Sequence, residues 1–264
     1  MALDEDLKKE LRQILANFKG GNDIVSVPGG AGKALEAWVL MRLAQTADGS
    51  GDWHVSLRRG DGTLLPMNEP FRFATSQHGI GGQSSSAPSY VLLDHKHADN
   101  QKLELHGSLQ WQGRSGATHE IDVSIVPAVI ANALRVWGGG LPNGLPILAV
   151  ECKDKTGSGT PDEMRETLAR MFDLTLVTKP EKQITCRVFE NIGKINWGRW
   201  RRTYRGFFKY GTFAIVRVGP FSPGARRIAA HYSIQRIGGV YDGEQAIQRL
   251  EDHFRGTLAT LHEL

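Results

Sequence analysis

The run LPILAVECKDK, residues 145–155, constrains this chain most. Its apolar positions follow one another without alternation, the pattern of a strand buried on both faces, and such a strand requires helices packed against each side of its sheet. A polar turn follows. Thr160, Pro161 and Asp162 then open a helix whose Met164, Leu168, Met171 and Phe172 form an apolar stripe. Upstream, LELHGSLQWQGRSGATHEIDVSIV patterns as a hairpin whose second strand alternates with period two and carries Asp122. Pro127 begins a helix that Gly138, Gly139 and Gly140 stop. The expected fold is α/β, a mixed central β-sheet flanked by helices.

Chemistry-bearing residues gather on these strands. Glu151 and Lys153 are two apart, so on a strand they share a face, and Asp122 lies on the strand before. Two carboxylates meeting from adjacent strands suit a hard divalent cation, which takes oxygen ligands and keeps several waters. An ammonium beside them would orient a metal-bound water and stabilise charge developing on a phosphate. The reaction these types fit is phosphodiester hydrolysis, in which the metal lowers the water's pKa and neutralises the transition state. Glu-x-Lys alone carries little, since roughly one such triplet is expected at this length. Asp94-His95-Lys96 also follows an apolar strand, SYVLL, but runs straight into a turn and lacks an upstream acid.

With 264 residues, 40% hydrophobic and 23% charged, the chain suits one elaborated domain with a substantial core. No repeat or interdomain linker is visible. No apolar run approaches the roughly 18–20 residues of a membrane span. The charged start MALDEDLKKE does not pattern as a signal peptide, so a cytoplasmic protein is expected. Two cysteines, Cys152 and Cys186, are too few for a disulfide framework or a four-cysteine zinc site. The net charge of +4 hides an asymmetry. Between Asn191 and Tyr241 there are ten Lys and Arg and no Asp or Glu, which leaves the remainder of the chain net acidic. Within that segment KINWGRWRRTYRGFFKY interleaves cations with rings. Lys194, Arg199, Arg201, Arg202, Arg205 and Lys209 are candidates to neutralise phosphates, and Trp200 and Tyr204 to stack on bases.

Elsewhere, residues 3–19 show a helical apolar stripe ended by Gly20 and Gly21, and GKALEAWVLMRLAQ patterns as a second helix. GGAGKA does not make a phosphate loop: its first glycine would fall at Val27, and Ala34 follows Lys33. Residues 53–74 suggest short strands around a Gly-Asp-Gly turn, and the Gly- and Ser-rich 76–89 a mobile loop. His95, His97, His106 and His119 lack the partners of a zinc site and are expected at the surface or in packing. Arg165 and Arg170 are expected to pair with Glu163 or Glu166. TFAIVRV and RRIAAHYSIQRI are expected as strands, and 242–264 as a closing helix.

The order of these pieces, an acidic helix, a hairpin with Asp122, then a buried strand ending in Glu151-Cys152-Lys153 and a helix, resembles the PD-(D/E)XK nuclease superfamily over about residues 29–218. GRSGATHEIDV is similar to its type IV restriction-enzyme-like branch. Ile121 stands where the superfamily's name has proline. The resemblance implies a restriction-endonuclease-like fold over 1–264, with an N-terminal helix (1–28), a catalytic core (29–190), the basic aromatic segment (191–241) and a C-terminal helix (242–264). It implies Mg²⁺ or Mn²⁺ on Asp122, Glu151, the backbone carbonyl of Cys152 and Glu36, with Lys153 positioning the water. It further implies cuts leaving 5′-phosphate and 3′-hydroxyl ends but no particular substrate; DNA is expected as the partner ahead of RNA, and sequence-specific cutting would need a homodimer or a partner protein. Two alternatives stay open: a nucleic-acid-binding or assembly subunit that does not cut, and a zinc hydrolase using the histidines.

Overall fold

A computed structural model describes residues 2–20, 30–98, 101–175, 212–241 and 244–260. Its strands are β1 (Trp53–Arg58), β2 (Ile80–Gly81), β3 (Tyr90–His95), β4 (Lys102–Gln112), β5 (Thr118–Pro127), β6 (Gly139–Gly140), β7 (Leu148–Lys153), β8 (Thr212–Arg217) and β9 (Gln235–Ile237). Its helices are α1 (Ala2–Phe18), α2 (Ala31–Gly49), α3 (Ala128–Val136), α4 (Pro161–Thr175), α5 (Pro223–His231) and α6 (Glu244–Thr260). Among the described residues, seven strands form one sheet in the order β1-β3-β4-β5-β7-β8-β9. The pairings from β1 through β7 are antiparallel, whereas β7–β8 and β8–β9 are parallel. The fold is therefore α/β, with a mixed and mostly antiparallel central sheet.

Each face of the sheet carries its own core. On one side Leu11 and Leu15 of α1, Leu35 and Leu43 of α2 and Leu250 and Phe254 of α6 pack with Val91, Leu105, Val150 and Val216. On the other, Ile130 and Leu134 of α3, Met164 and Met171 of α4 and Ala225 and Ala229 of α5 pack with Leu109, Trp111, Ala149 and Ile215. Helix α2 is buried nearly all round because α1 and α6 flank it and the sheet lies beneath, which explains its lack of a polar face. Strand β7 is buried from Leu148 through Cys152, as its continuous apolar run requires.

Two expectations need correction. RRIAAHYSIQRI is not a strand: Ser222 caps α5 by accepting from Ala225 N at 3.3 Å, Pro223 starts the helix, and Ala225 and Ala229 face the core. Only Gln235–Ile237 of that stretch is β. The loop 76–89 is pinned by backbone bonds: Ile80–Gly81 pairs with Gly139–Gly140, His78 N donates to Ser108 O, and Gln110 N to His78 O. Two of the glycines expected only to stop a helix thus form a ladder whose strands approach closely. A Cβ at Gly82 would lie 2.8 Å from Gly138 O. Of the basic segment, residues 212–241 carry β8, α5 and β9 into the sheet and core, where Arg217 is only 1% exposed, and residues 191–211 lie outside the described residues.

Candidate active site

The site begins with a break in the sheet's regularity. Leu103 and Leu105 of β4 belong to the α2-side core, whereas Leu109 and Trp111 belong to the opposite one, so the pleat inverts between them. At the inversion stands Ser108, whose φ of +49° is rare and costly for a residue with a side chain. Its neighbours hold it there. The Ser108 carbonyl accepts from His78 N, its hydroxyl donates to Glu36 Oε2 at 2.9 Å, and Lys33 Nζ donates to the same hydroxyl at 2.9 Å.

On β5, Val123 pairs with Gly107 and Ile121 with Leu109, which sets Asp122 across from Ser108. Pairing of β5 with β7 ends at Val123 and Val150. Beyond that point the strands part, and the Cys152 N–H donates to Asp122 Oδ2 at 2.6 Å. A carboxylate thereby replaces a ladder carbonyl for a backbone donor that would otherwise be orphaned.

Glu151 and Lys153 alternate with the buried Val150 and Cys152. Glu151 is 5% exposed; its Oε2 accepts from Lys153 Nζ at 3.3 Å and its Oε1 from Arg170 Nη1 at 2.5 Å. Glu36, in the first turns of α2, accepts from Lys33 Nζ at 2.7 Å, and Lys33 also lies 3.4 Å from Glu120. Burial raises the Asp122 carboxyl to about 7, with the charges of Glu151 and Glu36 adding to the rise. Burial also raises Glu36, although Lys33 pulls it back. Burial alone would lower Lys153, but Glu151 and Asp122 together lift it above the ordinary lysine value, so it stays an ammonium. The Cys152 thiol is pushed well up by burial and is an inert core group, leaving only its main chain beside the carboxylates.

These residues fit an oxygen-seeking cation. The donors are carboxylates, and burial, with repulsion from Glu151 and Glu36 added, raises Asp122 to about 7, so that it carries a proton that a divalent ion would replace. Among the described residues no three His, Cys, Asp or Glu side chains close into a cage, so waters or substrate oxygens would complete the coordination.

Sequence reasoning named Asp122, Glu151, Lys153 and Glu36, and the fold brings them together. It missed Lys33, Ser108 and Arg170. Lys33 is readable as the i, i+3 neighbour of Glu36 on one helix. Arg170 was expected to pair within its helix; instead Arg165 takes Asp162, and Arg170 reaches Glu151 on the face of β7 that α4 covers. The histidines do not gather at one point: His95 packs edge-on against Trp53 with the exposed His97 beside it, whereas His106 bonds Glu104 and His119 bonds Asp173. Lys194, Arg199, Trp200, Arg201, Arg202, Tyr204, Arg205 and Lys209 lie outside the described residues. A cavity of about 630 Å³ bounded by Asp6, Trp38, Arg42, Tyr241 and Glu251 shares no residue with the carboxylate cluster. Among the described residues no helix is long and apolar enough to cross a membrane. Compared with models of known families, with curated proteins and with solved structures, the chain matches none.

Proposed function

We propose that this chain is a metal-dependent endonuclease of restriction-endonuclease-like fold, a member of the PD-(D/E)XK superfamily that cuts DNA in preference to RNA in restriction, phage defence or DNA processing. The observation that carries this reading is the meeting of Asp122, Glu151, Lys153 and Glu36 where β5 and β7 part, with Asp122 raised to about 7 by its own burial and then by Glu151 and Glu36. Asp122 and Glu151, with Glu36 and the Cys152 carbonyl, would hold Mg²⁺ or Mn²⁺. When bound, that ion supplies an acidified water and neutralises charge on the phosphate. Lys153 remains an ammonium beside Glu151 and orients the attacking water. Lys194, Arg199, Arg201, Arg202, Arg205 and Lys209 would grip the backbone while Trp200 and Tyr204 stack on bases. A homodimer or partner protein would supply specificity, in the cytoplasm.

One observation favours a second reading, a nucleic-acid-binding or assembly subunit that does not cut: Glu151 and Glu36 already have protein cations as partners. Circular plasmid, single-stranded DNA and RNA, each incubated with Mg²⁺, Mn²⁺ or EDTA, separate the two. Cleavage should need metal and vanish in Lys153→Ala while DNA binding persists. Metal-independent cleavage, or none with binding intact, would overturn the nuclease assignment.

A further inference from the structure

Both oxygens of Glu151 face protein cations, Oε1 toward Arg170 at 2.5 Å and Oε2 toward Lys153 at 3.3 Å. Across the site the cations Lys33, Lys153 and Arg170 stand among the carboxylates Glu36, Glu120, Asp122 and Glu151, so Glu151 has protein counter-charges before any added ion arrives. A divalent cation on Glu151 Oε1 would share that oxygen with the guanidinium, and like charges so close in a buried site repel strongly. One of the two must leave. Lys153 is tied to the same strand as its carboxylate, two residues away. Arg170 comes from α4, its side chain is 34% exposed, and its remaining bond is a long one, 3.5 Å to Glu120 O.

We infer that Arg170 is an internal counter-cation, one that neutralises Glu151 until the metal enters and then exchanges the carboxylate for a non-bridging phosphate oxygen of the substrate. This rests on the nuclease assignment above. A guanidinium suits both stages because carboxylate and phosphate offer the same paired acceptors to its planar fork. The exchange explains why a buried glutamate tolerates its position before metal binds, and it couples metal entry to release of a phosphate-seeking group beside Lys153. Arg165 on the same helix is paired outward with Asp162 and lies 66% exposed, which makes it a control with no place in the site.

The test is Mn²⁺ titration by calorimetry on the metal-free full chain, for the wild type, Arg170→Gln, Arg170→Met, Arg165→Gln and Glu151→Gln, with circular dichroism to confirm folding. Loss of the competing cation should tighten Mn²⁺ binding about tenfold in either Arg170 variant, the size of an ordinary coupling between two sites. Arg165→Gln should match the wild type and Glu151→Gln should bind worse. At saturating Mn²⁺ the same Arg170 variants should cleave a short DNA duplex about 100-fold more slowly, as expected when a transition-state charge partner is lost. Affinity and rate thus move in opposite directions. Unchanged or weaker Mn²⁺ binding in folded Arg170 variants overturns the inference while leaving the metal site standing. Absence of Mn²⁺ binding in the wild type overturns the nuclease assignment, and the inference with it.

Discussion

Replacing Glu104 by Gln should remove a large part of the protein's stability. Glu104 is 1% exposed and receives both terminal nitrogens of Arg135, at 2.8 and 2.6 Å, as well as His106 Nε2 at 2.8 Å. Arg135 is itself buried, donates further to Gly60 O and Asn132, and lies over the Tyr90 ring, so this network ties α3 to the sheet. The amide keeps the shape but removes the charge, leaving the guanidinium uncompensated. Breaking one side of a buried pair costs about 3–5 kcal/mol, against a total stability of roughly 5–15 kcal/mol for a domain. Urea unfolding of Glu104→Gln, Glu104→Leu, Arg135→Met and the Glu104→Leu/Arg135→Met double variant measures this. Each single change should lose about 3–5 kcal/mol, and the double variant should lie well above the sum because no charge is stranded. A single loss under about 1 kcal/mol, or a double variant that simply adds, would refute the argument. The pH dependence has a definite sign. Burial outweighs Glu104 in setting His106, so its folded pKa lies below 6.5; the unfolded chain takes up that proton first, and stability falls as pH drops below about 6.5. Glu104, held below 4.5 by Arg135 and His106 despite its burial, acts in the same direction lower down, losing its contribution as pH falls through its folded value. His106→Gln should therefore flatten the upper part of the acid limb and leave the lower part.

Two further outcomes follow from the site and its supports. Because Asp122 ionises only around pH 7, Mn²⁺ affinity should rise between pH 5.5 and 7.5 and then level off, and Asp122→Asn should abolish the rise; a flat profile in the wild type would exclude proton displacement from Asp122. Asp173 accepts from Ser115 N and Oγ and bonds His119, which clasps the β4–β5 turn to α4. Asp173→Asn should cost about 1–3 kcal/mol in urea unfolding, and an unchanged midpoint would show the clasp to be incidental.

How much of this was legible varies with the range of the interaction. The sandwich of helices around β7 was visible because burial on both faces leaves a local trace, an apolar run without alternation. Asp122, Glu151 and Lys153 were visible because strand periodicity fixes which side chains share a face before any pairing is known. Helix α5 was missed although Ser222-Pro223 marks its start, since the apolar Ile and Ala spacing in so short a segment fits a strand as readily. Ser108 is a different kind of miss. Nothing about a serine in an alternating strand announces a left-handed backbone, and its conformation exists only because His78, Lys33 and Glu36, distant in sequence, arrive to satisfy it. Arg170 likewise had nearer acids in sequence than Glu151, and only the path of α4 back over the sheet decides which one it meets. Both unread residues contact a carboxylate that sequence alone had named. The acids of this site are therefore a property of local pattern, whereas the arrangement that sets their charge and their availability to a metal is a property of the fold. Substitutions at Ser108 or Arg170 should alter how the site works without altering the motif by which it is recognised.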